Sequence, residues 1–108
     1  MGDLSISFEM FPPKNPEMET RLWDSVERLS ALDPAFISVT YGAGGSTRER
    51  THDVVERIAK AGQVRSAGHI TCVGASRAEV NNVLQHYWNS GVRSIVALRG
   101  DPLEGVGA

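Results

Sequence analysis

Residues 4–14 read LSISFEMFPPK, and the alternation of side chains along them decides the fold. Leu4, Ile6 and Phe8 share one face of an extended chain, and Ser5, Ser7 and Glu9 share the other. The bulky face suits packing against helices, whereas the small polar face suits the inside of a curved sheet. Pro12 and Pro13 then stop the strand. Glu9 is the odd residue. A carboxylate at a strand end that faces a sheet interior must be paired, neutral or solvated.

The same pattern recurs along the chain. Strand-like runs start at residues 4, 36, 66 and 94 (LSISFE, FISVTY, SAGHITC and SIVALRG), so the spacings are 32, 30 and 28 residues. Helical patterns fill the intervals. In the first, Asn15 is placed to cap, Pro16 to open the helix, and Leu22, Val26 and Leu29 to form its apolar stripe. Ser46 and Glu49 have the spacing of a capping box for the second, with Val54, Val55 and Ile58 buried and Gly62 as the stop. Ser76 and Glu79 repeat the device for the third, followed by Val80, Val83, Leu84 and Tyr87 and ended by Gly91.

Strand and helix alternating at regular intervals predict βα units around a parallel sheet. Right-handed crossovers leave an open doubly wound sheet or a (β/α) barrel. The small polar inner face of the first strand favours the barrel. Both architectures bind ligands at the carboxyl ends of the strands. Those ends collect polar residues: Glu9; Thr40 and Tyr41; His69 and Thr71; then Arg99, Gly100 and Asp101.

The chain has 108 residues, 41% hydrophobic and 22% charged, with a formal net charge of -2. That composition belongs to one modest globular domain and argues against sequence-independent nucleic-acid binding. No apolar run approaches the ~20 residues that span a bilayer, and MGDLSIS lacks the features of a signal peptide. A single cysteine, Cys72, excludes an internal disulfide, suits a reducing cytosol and reads as small apolar filler. A cytoplasmic protein with no membrane or nucleic-acid partner is expected.

Several motifs fail. The loop GAGGST, residues 42–47, lacks the lysine of a Walker site, and Thr47 stands where the dinucleotide fingerprint needs its third glycine. His52, His69 and His86 show no zinc-ligand spacing with one another or with Cys72. Ser46 has no nucleophile-elbow context. Taken singly, His69 reads as a satisfied core histidine, and Arg99 with Asp101 as a structural ion pair.

Taken together, SFEMFPPK, SVTYGAGGSTRERT, HITC and IVALRGD closely resemble the methylenetetrahydrofolate reductase family, bacterial type, in order and over almost the whole chain. The main departure is Met10, where the family usually has a second Phe. The resemblance implies a (β/α)8 TIM barrel of which this chain is the first half, β1α1β2α2β3α3β4. Residues 1–108 would then be the N-terminal part of a single catalytic domain, short of the roughly 200 residues of a complete barrel.

It also implies FAD as cofactor, NADH or NADPH as electron donor, and conversion of 5,10-methylenetetrahydrofolate to 5-methyltetrahydrofolate, in one-carbon metabolism and methionine biosynthesis. By the same resemblance Glu9 is the catalytic acid and Thr40 lies near nicotinamide and flavin. Tyr41, Ala43, His69, Arg99 and Gly100 are FAD contacts, and Asp101 sits between flavin and folate. Opening the folate ring breaks a carbon–nitrogen bond whose nitrogen needs a proton. Glu9 would have to be protonated, and burial at the mouth beside Asp101 is expected to raise its pKa. A homo-oligomer is expected. The competing readings are another barrel enzyme and a non-catalytic half-barrel module. The first would need a strand-end lysine, and the only lysines are Lys14 and Lys60.

Overall fold

A computed structural model describes residues 4–41, 48–72 and 75–99. Four strands and three helices alternate: β1 Ser7–Met10, α1 Pro16–Ser30, β2 Phe36–Val39, α2 Arg48–Ala61, β3 Ser66–Thr71, α3 Arg77–Asn89 and β4 Ser94–Leu98. All pairings are parallel, and the sheet order is β1-β2-β3-β4. Strictly sequential order with crossovers of one hand puts every helix on one side of the sheet. A doubly wound sheet reverses its order partway. The chain is therefore the first half of a (β/α)8 barrel.

Local chemistry sets the helix ends. Asn15 caps α1, its Oδ1 accepting from the Met18 amide at 2.8 Å, and Pro16 occupies the first turn, where a missing N–H costs nothing. Ser76 and Glu79 form the reciprocal capping box of α3. Gly62 and Gly91 follow α2 and α3 at φ +71 and +91, where a side chain would be strained. The expected box at Ser46 and the loop GAGGST fall outside the described residues.

The core lies between the sheet and its helices. Ile37 and Val39 of β2 meet Leu22 and Val26 of α1, Val54, Val55 and Ile58 of α2, and Tyr87 of α3, with Phe8, Met10 and Leu29 packed against them. Sequence periodicity placed most of these, but three expectations change. Strand β1 starts at Ser7, not Leu4, because its partner β2 begins at Phe36, opposite Ser7. Leu4 and Ile6 are exposed, although the Ile6 carbonyl still accepts from the Ala35 amide, just ahead of β2, at 2.7 Å. Leu84 is also exposed, so α3 leans on Tyr87 more than on a continuous stripe. Cys72 is exposed, not core filler, because it lies just past the end of β3.

Tyr87 brings α3 close against the sheet. Its ring lies over Gly68, so near that a Cβ on Gly68 would stand 2.5 Å from Cζ and 2.7 Å from Cε1 and Cε2. Its hydroxyl donates to the His69 carbonyl at 2.9 Å. Gly68→Ala is expected to lower stability by about 1–3 kcal/mol through overpacking, measured by urea denaturation. The cost should shrink in a Tyr87→Leu background, where the opposing ring carbons are gone.

Candidate functional site at the strand ends

Register decides which polar side chains meet. Glu9 pairs with Ser38, and Ser38 with Ala67, so these three residues form a row across β1, β2 and β3. Phe8 and Met10 pack on the helix-side core, which leaves Glu9 on the opposite, inner face. Two residues farther along β3 on that face is His69, registered with Val96 of β4. Carrying the β2–β3 register on by two sets Thr40 beside His69. Glu9, Thr40 and His69 thus converge at the carboxyl end of the sheet.

Glu9 Oε1 lies 3.3 Å from His69 Nε2. The distance is that of an ion pair, but the ring is not aligned for a hydrogen bond, and both ring nitrogens of His69 are buried without a hydrogen-bond partner. The two residues differ sharply in exposure: 3% for the His69 side chain and 53% for that of Glu9. Burial holds the His69 imidazole below its usual range and outweighs the Glu9 carboxylate, which acts in the opposite sense. His69 is therefore not a satisfied core histidine. The burial expected of Glu9 is not found either: half its side chain faces solvent, because β1 has a single strand neighbour among the described residues.

Tyr41 is placed differently from the other residues. It continues the Ile37–Val39 face, is buried, and brings its hydroxyl to 3.3 Å from His52 Nε2 on α2. Its side chain belongs to the helix layer, on the other side of the sheet from Glu9. The Thr40 carbonyl accepts from Thr51 Oγ1 at 2.6 Å and its amide donates to Met10 O at 3.0 Å, so the end of β2 is held on both sides. Arg99 is exposed just past β4. Ala43, Gly100 and Asp101 lie outside the described residues, and with them the expected Arg99–Asp101 pair.

Ser38 was not singled out in the sequence, and Tyr87 was read there as one of the apolar residues of the third helix. Gly68 could have been, since glycine within a strand marks a close approach. His52 and His86, 34 residues apart in sequence, bring their ring centroids to 5.1 Å across α2 and α3. Among the described residues no group of three or more His, Cys, Asp or Glu could hold a metal ion. None of their helices is long and apolar enough to cross a membrane.

Comparison with known proteins places the chain in a family. The family model of methylenetetrahydrofolate reductase matches residues 1–107. The chain belongs to the methylenetetrahydrofolate reductase family. It is 49% identical over 106 residues to the 5,10-methylenetetrahydrofolate reductase of Salmonella typhimurium, covering 98% of this chain and 36% of that protein. The corresponding protein of Escherichia coli is 47% identical over 106 residues, with the same coverage. Methylenetetrahydrofolate reductase (NADH) 1 of Arabidopsis thaliana is 34% identical over 104 residues, covering 96% of this chain and 18% of that protein. The chain thus spans about a third of the length of the bacterial relatives.

The buried His69 has a consequence for stability. Its folded pKa lies below the unfolded value of 6.5, so on acidification the unfolded chain binds a proton that the folded chain resists. The contribution is fully present above 6.5 and is lost as pH falls toward the depressed folded value. Urea unfolding from about pH 7.5 down to about pH 5 should show this decline, and His69→Gln should flatten it.

Proposed function

We propose that the chain forms the N-terminal part, residues 1–108, of a single (β/α)8 catalytic domain in a cytoplasmic flavoprotein. The enzyme reduces 5,10-methylenetetrahydrofolate to 5-methyltetrahydrofolate with electrons from NADH or NADPH. The observation that carries this reading is the convergence of Glu9, Thr40 and His69 on the inner face at the strand ends, in a chain of this family. The name of the Arabidopsis relative favours NADH. Apolar residues left exposed on β4, Ile95 and Leu98, support further barrel strands or a second subunit beside it.

The residues present fit FAD. His69 offers two buried ring nitrogens without partners, Thr40 a hydroxyl beside it, and Arg99 an exposed guanidinium suited to a phosphate or a ribityl oxygen. Tyr41, with its ring turned into the helix layer, would contribute through its backbone, as would Ala43 and Gly100. FAD, when bound, would carry hydride from the nicotinamide to the folate. Asp101 would lie between flavin and folate and add negative charge there.

Glu9 then has the acid's role. It projects from the open end of β1, on the face where a substrate would lie, with half its side chain exposed. From there it delivers a proton to the folate nitrogen released when the ring carbon–nitrogen bond breaks. Hydride transfer from nicotinamide to flavin needs no such proton.

The two half-reactions separate these roles. This chain would replace the equivalent N-terminal third of the Salmonella relative, and Glu9→Gln would be compared with Glu9 by stopped flow. Folate reduction should fall by about 10²–10⁴, the usual worth of a general acid, while flavin reduction by NADH changes little. Equal losses in both would reduce Glu9 to a structural role. A colourless protein that takes up no FAD would remove the flavin reading.

A further inference from the structure

A hydroxyl inside a helix commonly turns back on the carbonyl of its own preceding turn. Thr20 and Ser30 do so, donating to Pro16 O at 3.1 Å and to Val26 O at 2.6 Å. Thr51, near the start of α2, behaves differently. Its hydroxyl reaches off the helix and donates to the Thr40 carbonyl at 2.6 Å. The residue is fully buried, at 0% exposure, so water does not compete for the bond.

The residues after β1 explain why Thr40 needs that donor. The Thr40 amide donates to the Met10 carbonyl at 3.0 Å. In a parallel ladder the amide and carbonyl of one residue turn to the same neighbouring strand and bond to residues two apart on it. The ladder donor for the Thr40 carbonyl would therefore be the amide of residue 12. Residue 12 is a buried proline and has no N–H. Pro12 thus ends the β1–β2 ladder one bond short, and α2 supplies the missing donor from the helix layer. The next pair makes a second rung, with the Tyr41 hydroxyl 3.3 Å from His52 Nε2. Both rungs join residues 11 apart, so two consecutive pairs clasp the carboxyl end of β2 to the start of α2.

Thr40 is where this clasp meets the site. It follows Ser38 by two on the inner face and stands beside His69 when the β2–β3 register is carried on. We propose that Thr51 is a positioning residue for the flavin: by replacing the strand donor that Pro12 lacks, its hydroxyl fixes the Thr40 peptide and so sets where the Thr40 side chain meets the cofactor. The inference deepens the proposed flavin site and rests on that reading for the cofactor. Thr51 itself lies buried on the helix side, away from the ligand. Without its hydroxyl the Thr40 carbonyl loses its donor, and the peptide shifts to find another.

The hybrid in which this chain replaces the N-terminal third of the Salmonella relative tests the role. Thr51→Val removes the hydroxyl at nearly constant shape, and Thr51→Ser keeps it. Ile58→Val trims the core about two turns farther along α2 and serves as the control for lost stability. Each protein would be titrated with FAD by flavin fluorescence, unfolded in urea, and measured by visible circular dichroism at saturating FAD. Thr51→Val should weaken FAD binding about tenfold, on the scale of one hydrogen bond, and should alter the circular dichroism of the bound flavin. Thr51→Ser should match the unmodified hybrid in both. Ile58→Val should lose stability while affinity and spectrum hold. Should Thr51→Val fail to fold, Thr51→Ala takes its place, since the space it opens admits water to the Thr40 carbonyl, and the same loss of affinity is expected. Unchanged affinity and spectrum without the hydroxyl overturn the role of Thr51 and leave the flavin reading intact. So does a loss that Thr51→Ser fails to repair, or one that Ile58→Val reproduces. An unmodified hybrid that takes up no FAD removes the flavin reading, and the role of Thr51 with it.

Discussion

The seat of Tyr87 on Gly68 is the contact on which the site depends. A helix and a strand normally keep the distance that their side chains impose. Here β3 gives up a side chain, the Tyr87 ring fills the space, and its hydroxyl reaches the next carbonyl along the strand. That carbonyl belongs to His69. A buried phenol without a partner is costly, and the His69 carbonyl gives this one an acceptor. The backbone that carries the site's imidazole is thereby tied to α3, while the imidazole itself faces the other side of the sheet. Packing on the helix side sets the position of chemistry on the inner side.

The alternation of a parallel sheet makes that separation possible. Along β2, Ile37 and Val39 go to the helices and Ser38 to the inside. Along β3, Gly68 and Ile70 go to the helices and Ala67 and His69 to the inside. A one-residue slip would exchange the two sets and bury Glu9 among α1 and α2. Four staggered strands with one polar inner face are half of a closed ring. The inner face is lined there by the small residues Ser7, Ser38 and Ala67.

The elements of the fold were legible in the sequence because they rest on local chemistry. Strands at Phe36, Ser66 and Ser94, the Asn15 cap, the Ser76–Glu79 box and the glycine stops all follow from spacing within a few residues. The start of β1 was not, because a strand lasts only as long as its registered ladder, and Leu4 and Ile6 keep the strand pattern ahead of the first registered pair, Ser7 with Phe36. Site residues divided in the same way. Glu9 and His69 were found as strand-end residues, and their contact followed only from register and from the small size of Ser38. Tyr41 was grouped with the rim because it ends a strand. Strict alternation places its side chain on the helix side, and counting from Ile37 would have shown it. His52 and His86 meet through the packing of α2 against α3, which no local pattern encodes.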